Sequence, residues 1–206
     1  MTAGAPAHPE GAIARVCAAI GEHGCAVEAA FLSNATIAAL RAGARRRDAA
    51  GEFRAAGIGR TGARAERGDI RGDRILWLDE HSPAAAELPL WQALAALRSA
   101  LNQTLFLGLF SFEGHYALYP AGAQYRRHRD RFRDDDARIV SCVLYLNEDW
   151  TARDGGTLRM HLDDGARDIV PLGGTLVCFL AERFEHEVLP ARRERLAVTG
   201  WFHRRG

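Results

Sequence analysis

The sequence predicts an α+β fold: a double-stranded β-helix, or jelly roll, with N-terminal helices packed on one face. Two observations predict it. Up to about residue 105, apolar residues recur mainly at helical spacing. Beyond it, short β-branched and aromatic runs are divided by Gly, Pro and Asp turn signals. Helices followed by a run of strands give an α+β order, and strands evenly punctuated by turns close into a sandwich or barrel. A third observation bounds the architecture. The chain has 206 residues, enough for one domain with a real core, and shows no repeat or second core.

Residues 1–9 read as a flexible tail and 10–206 as a single domain. "EGAIARVCAAIGEHG" places Ile13, Val16, Cys17 and Ile20 at helical spacing and stops at Gly24. "CAVEAAF" is a short apolar strand. Ser33 is placed to cap "NATIAALRAGARRRDAAG", which Gly51 ends. The "RRR" of that helix reads as a solvated face, because the net charge is only +1. Residues 56–73 are Gly- and Arg-rich with no apolar period and predict a long mobile loop. "RILWL" is a strand, and "SPAAAELPLWQALAALRSALNQTLF" a third helix with Leu88, Trp91, Leu94 and Leu97 in its stripe. Seven stretches then read as strands: "LFLGLF", "HYALYP", "RIVSCVLYLN", "GGTLRMHL", "DIVPLGGTLVCFL", "HEVLPA" and "RLAVTGWFHR".

The composition excludes several classes. The near-neutral charge gives no pull toward nucleic acid or membrane. No apolar run approaches the ~20 residues of a membrane span, and the N-terminus has no signal-peptide pattern. Cys17, Cys25, Cys142 and Cys178 sit among apolar neighbours without a CxxC, so reduced thiols in a cytoplasmic protein are expected. A monomer is the expected state.

"YRRHRDRFRDDDARIV" crowds six arginines and four aspartates around His128. On a strand, residues two apart share a face, so His128 and Asp130 could offer an imidazole and a carboxylate to one ion. His161 and Asp163 repeat the spacing but run into a turn signal, which favours the surface. Spacing alone does not choose between the pairs. His186, at the start of a late strand, could add a third ligand. Two histidines and one carboxylate leave three positions open, the facial triad of non-haem Fe(II) oxygenases. Arg195, nine residues after His186, could clamp a carboxylate bidentately, with the Tyr145 phenol helping. Arg192 and Arg193 are rivals for that role.

The stretches "GDIRGDRILWL", "YPAGAQYRRHRD", "VSCVLYLNEDW", "DGGTLRM", "FEHEVLPA" and "RLAVTGWF" together resemble the 2-oxoglutarate- and Fe(II)-dependent prolyl hydroxylases that modify hypoxia-inducible factor, in a short bacterial form. The resemblance covers roughly residues 24–203. It implies that His128, Asp130 and His186 hold the metal, and that Arg195 and Tyr145 bind 2-oxoglutarate. It places Tyr119 in the co-substrate pocket and Thr199 and Trp201 near the metal. It makes residues 56–73 a finger loop over the substrate, with Arg71 and Asp73 in its frame, and adds Arg138 as a substrate contact.

The implied reaction couples oxidative decarboxylation of 2-oxoglutarate by O2, to succinate and carbon dioxide, with hydroxylation of a prolyl C4. Ascorbate is expected to support it, and oxygen sensing is the associated role. The implied partner is a protein with a loop proline; bacterial relatives act on elongation factor Tu. Two departures stand out: His115 replaces an apolar residue near the pocket, and "RFRDDDA" is one residue longer than the animal stretch. Rival readings are an oxygenase for another peptide residue or a small metabolite, and a metal-binding sensor without turnover. Nucleic-acid demethylases of the superfamily carry a second arginine where this chain has Trp201, which argues against them.

Overall fold

A computed structural model describes residues 9–57, 70–130 and 137–205. The predicted tail up to residue 8, residues 58–69 of the predicted finger loop and the charged stretch 131–136 lie outside the described residues.

In chain order, α1 (Pro9–His23), β1 (Cys25–Glu28), α2 (Asn34–Ala49), β2 (Arg54–Ala55), β3 (Arg74–Trp77) and α3 (Leu88–Leu105) come first. Pro9 already opens α1, one residue earlier than the predicted domain start, since proline suits a first helical turn. Gly24 ends it with a positive φ of 77°, a conformation glycine adopts without steric cost. The Ser33 hydroxyl accepts from the Thr36 N–H at 3.1 Å and caps α2. On the solvent side of α2, Arg45 pairs with Glu194 and Arg47 with Glu52. The third helix corrects the predicted stripe. Leu88 is 47% exposed, while Leu90, Leu94, Leu97 and Leu101 are buried. Pro89 fixes the first turn, and Leu88, at the helix start, faces out of the packed stripe.

Eight strands follow: β4 (Leu109–Tyr119), β5 (Tyr125–His128), β6 (Arg138–Tyr145), β7 (Leu158–Leu162), β8 (Gly165–Ile169), β9 (Leu176–Leu180), β10 (Glu185–Val188) and β11 (Arg195–Arg204). Of the strand expected in "LFLGLF" only Leu109 and Phe110 are in β4, because Leu105 still belongs to α3 and Phe106 and Gly108 turn the chain with positive φ; β4 then runs on through the strand expected in "HYALYP" to Tyr119. Gly114 is no break there. It faces Gly200 across the ladder, and a Cβ at Gly200 would fall 2.5 Å from the Glu113 carbonyl oxygen. The paired glycines permit a close backbone approach under the Phe112 ring. Conversely, "DIVPLGGTLVCFL" divides between β8 and β9, because Pro171 and Gly174, with φ 88°, turn the chain.

The strands form two antiparallel sheets, ordered β1-β9-β6-β11-β4-β3-β2 and β5-β10-β7-β8. The helices cover one face of the larger sheet, where Leu40, Leu97 and Leu101 pack with Cys142, Leu144, Cys178 and Phe202. Burying each leucine contributes about 1.5–3 kcal/mol. A second core between the sheets holds Val143, Tyr145, Leu158, Met160, Phe179 and Val188. Strand alternation sends Cys142 and Leu144 of β6 to the helices, and Val143 and Tyr145 inward. The architecture is the expected jelly roll with helices on one face. All four cysteines are free thiols. No described helix is long and apolar enough to cross a membrane.

Candidate active site

His128 closes β5, and His186 lies opposite it on β10. A register shift between His186 and Val188 marks a bulge beside the pair, a device that re-aims a side chain. Asp130 is not on the strand with His128, as its spacing suggested. It sits in a bend two residues on, because β5 ends at His128. The bend still delivers the carboxylate. One ligand atom from each of His128, Asp130 and His186 lies within 4.8 Å of the other two. Both Nε2 atoms face the carboxylate, at 3.6 Å from His128 and 3.7 Å from His186.

The surroundings prepare all three as ligands. His128 Nδ1 is 2.7 Å from the Arg126 carbonyl, to which only a protonated nitrogen can donate, leaving the Nε2 lone pair for a metal. The Tyr125 ring stacks on His128 at 3.6 Å and fixes its plane. Burial lowers the His186 pKa to about 4, so its imidazole is neutral and able to coordinate. Burial opposes ionisation of Asp130, but His186, His128 and the Ser141 hydroxyl outweigh it, and the carboxyl stays far below the usual range. Ser141 Oγ donates to Asp130 Oδ2 at 2.7 Å. Two imidazoles and a carboxylate with open positions suit Fe(II).

Arg195 begins β11 and is 2% exposed. Its guanidinium carbon lies 5.0 Å from the Tyr145 ring centre and 5.2 Å from that of Tyr119. Burial raises the pKa of both phenols, so both keep their protons and can donate. The Tyr145 hydroxyl and Arg195 Nε are buried without a hydrogen-bond partner among the described residues. An orphaned buried donor costs about 1–3 kcal/mol. A carboxylate would satisfy both. Ala117, Val143, Leu158 and Val188 line the cavity between this clamp and the histidines, and match the methylenes of a dicarboxylate. The residues therefore fit 2-oxoglutarate, with one end at Arg195 and the other at the metal.

The rivals separate cleanly. Arg193 binds the Glu148 and Asp149 carbonyls and stacks on Trp150, and Arg192 is exposed. His161 pairs with Glu187 at 3.1 Å and Asp163 with Arg183 at 2.9 Å, so the second His-x-Asp pair is not brought together with His186.

Thr199 and Trp201 line the same cavity further along β11, and Arg71 and Arg138 belong to its lining too. Arg71 is held bidentately by Asp73 at 2.7 and 2.9 Å, with Asp73 behind it. Arg138 lies over the Trp201 ring at 3.7 Å. His115 is a buried part of the same lining, 3.4 Å from Arg71 and edge-on to Trp77, away from Arg195. Sequence reasoning missed Ser141, Tyr125 and Trp77. The signal for Ser141 was present: it is the lone polar residue at the inward positions of "RIVSCVLY".

A profile of the 2OG-Fe(II) oxygenase superfamily matches residues 114–203. A crystal structure of a Pseudomonas putida prolyl-4-hydroxylase is 52% identical, with a TM-score of 0.85 over 94% of this chain and 100% of that one. The chain belongs to the prolyl hydroxylase family of 2OG-Fe(II) oxygenases. Another family member, a Trichoplax adhaerens prolyl hydroxylase in complex with a hypoxia-inducible factor peptide, is 26% identical, with a TM-score of 0.85 over 95% of this chain and 90% of that one. Human Egl nine homolog 1 is 34% identical over 148 residues, 65% of this chain. The chain spans about a third of that relative's length.

Proposed function

We propose that this protein hydroxylates a prolyl residue at C4 in a protein substrate, using Fe(II), 2-oxoglutarate and O2. Each turnover consumes one 2-oxoglutarate and one O2. One oxygen atom enters succinate, carbon dioxide leaves, and the other oxygen becomes the hydroxyl. The observation that carries the reading is the His128–Asp130–His186 cluster at one end of a cavity whose other end holds the buried, orphaned donors of Arg195 and Tyr145.

Each side chain has a task in that reaction. His128, Asp130 and His186 would hold the iron, which supplies the oxygen-activating chemistry when bound. Ser141 and the Arg126 carbonyl keep two of those ligands aimed. Arg195 and Tyr145 bind the distal carboxylate of 2-oxoglutarate and set its orientation. Tyr119 flanks it, while Thr199 lines the cavity four residues further along β11. The apolar walls keep water from the reacting atoms. Arg71, Trp201 and Arg138 of the cavity lining meet the substrate, with Asp73 acting through Arg71.

The peptide-bound relative supports a protein substrate, and the resemblance to bacterial forms makes elongation factor Tu the first candidate. The finger-loop role of residues 56–73 belongs to this reading too, as do action as a monomer in the cytoplasm and support by ascorbate. The test is to incubate the protein with Fe(II), 2-oxoglutarate and a bacterial lysate, then map oxidised peptides. The expected result is the mass of one oxygen atom on a proline of a folded protein, with elongation factor Tu examined first. Oxygen on another residue type, or succinate formed only with a small metabolite, would overturn the proposal.

A further inference from the structure

Arg193, the rival that does not reach the anion clamp, is linked to it through packing. It donates to the Glu148 and Asp149 carbonyls at 2.9 and 2.8 Å and lies over the Trp150 ring at 4.3 Å. Trp150 is buried, and its indole N–H donates to the Gly155 carbonyl at 2.9 Å. Gly155 bridges to Ala191, and the Gly156 N–H donates to the Pro190 carbonyl at 3.0 Å. Segments 148–156 and 190–195 are thus tied together beside the clamp. Gly156 is where they meet Arg195. A Cβ built there would fall 2.8 Å from the Ala191 Cβ and 3.3 Å from both Trp150 Cζ2 and Arg195 Cδ. The glycine, at φ 67°, lets the indole, the Ala191 methyl and the arginine stem converge on space that any side chain would fill.

The stem of Arg195 therefore rests against a close-packed wall. Its guanidinium carbon has the Tyr145 and Tyr119 ring centres at 5.0 and 5.2 Å. At 2% exposed, Arg195 has no solvent-filled space to withdraw into. His128 and His186, on the smaller sheet, hold the other end of the cavity. A cavity fixed at both ends measures the length of what lies between them. We infer that Trp150 and Gly156 are positioning residues that fix Arg195, and so select a five-carbon oxo diacid over a six-carbon one. Arg193 keeps the Trp150 ring in place. The inference rests on the reading of Arg195 as partner of the distal carboxylate.

The test measures binding of 2-oxoglutarate and of 2-oxoadipate, one methylene longer, by calorimetry without O2. The full protein is used, loaded with Mn(II) as an oxygen-inert stand-in for Fe(II). The unaltered protein should bind 2-oxoadipate at least about tenfold more weakly, the effect of one misfitting methylene. Trp150→Leu should weaken 2-oxoglutarate binding and narrow the gap to about threefold, because Arg195 gains room to withdraw. Trp150→Phe should narrow it less, and replaces the leucine variant if circular dichroism shows that one unfolded. Gly156→Ala combined with Ala191→Gly, which removes the nearest clash, should widen the gap, since the new methyl presses on the arginine stem. Equal binding of the two acids by the unaltered protein, a gap unchanged in the tryptophan variants, or both acids weakened in equal proportion would overturn the inference; a merely structural residue weakens both alike. Arg195→Ala checks the reading beneath it. Undiminished 2-oxoglutarate binding in that variant would remove the clamp and the inference together, whereas lost binding there beside an unchanged gap in the tryptophan variants would remove the inference alone.

Discussion

Asp130 is the one carboxylate of the His128–Asp130–His186 cluster, so removing it leaves a bound dication without a counter-charge among its ligands. Asp130→Ala is expected to drop 2-oxoglutarate turnover to background and to weaken Fe(II) binding sharply. Asp163→Ala should change neither, since Asp163 pairs only with Arg183 at the surface among the described residues. Parallel iron titrations and succinate assays check both. Spacing alone could not choose between the two His-x-Asp pairs, because the difference lies in tertiary partners. Glu187 and Arg183 occupy His161 and Asp163, while His186 and Ser141 converge on Asp130. Arg195 was legible only as one of three arginines for the same reason, and burial separates them. Losing its charge pair with 2-oxoglutarate should cost about 2–5 kcal/mol. Arg195→Ala should therefore raise the KM for 2-oxoglutarate steeply and spare Fe(II) affinity. An unchanged KM would remove Arg195 from the clamp.

The ligands are held by their strands, and β6 shows how. Ser141, Val143 and Tyr145 alternate inward, so one strand supports the metal carboxylate, lines the cavity and reaches the anion clamp. A hydrogen bond to a charged group contributes about 1.5–3 kcal/mol. Ser141→Ala should weaken Fe(II) binding by roughly tenfold or more while the fold survives, which metal titration beside circular dichroism would show. The β4–β11 ladder depends instead on close backbone approach at Gly114 and Gly200. Gly200→Ala should destabilise the protein by at least about 1–3 kcal/mol, seen as a lower Tm, because the added methyl meets the Phe112 ring and also the backbone of Glu113 and Gly114, which cannot move aside. Its partner Gly114 lies between the two stretches read as separate strands and has the composition of a break, but its reason to be glycine is on another strand. The bend that carries Asp130 was hidden similarly, since a His-x-Asp pair looks the same whether or not the strand continues.

At the scale of the molecule, the helix-then-strand order was legible because each half keeps its own period and its own turn residues. The layering follows: helices cover one face of the larger sheet, and the smaller sheet closes over the other. The cavity opens within that second layer, so the anion clamp comes from the larger sheet and two metal ligands from the smaller one. Which strands would meet was not readable locally, as β10 reaches β5 and β7 across long stretches of chain. On the proposed function, this assembly moves one atom of O2 onto a proline at the expense of 2-oxoglutarate. The most direct measurement supplies heavy-isotope O2 to the protein with Fe(II), 2-oxoglutarate and its protein substrate. Hydroxyproline carrying the heavy atom, formed in step with succinate, is the predicted result; hydroxyproline oxygen drawn wholly from water, or succinate with proline unchanged, would contradict it.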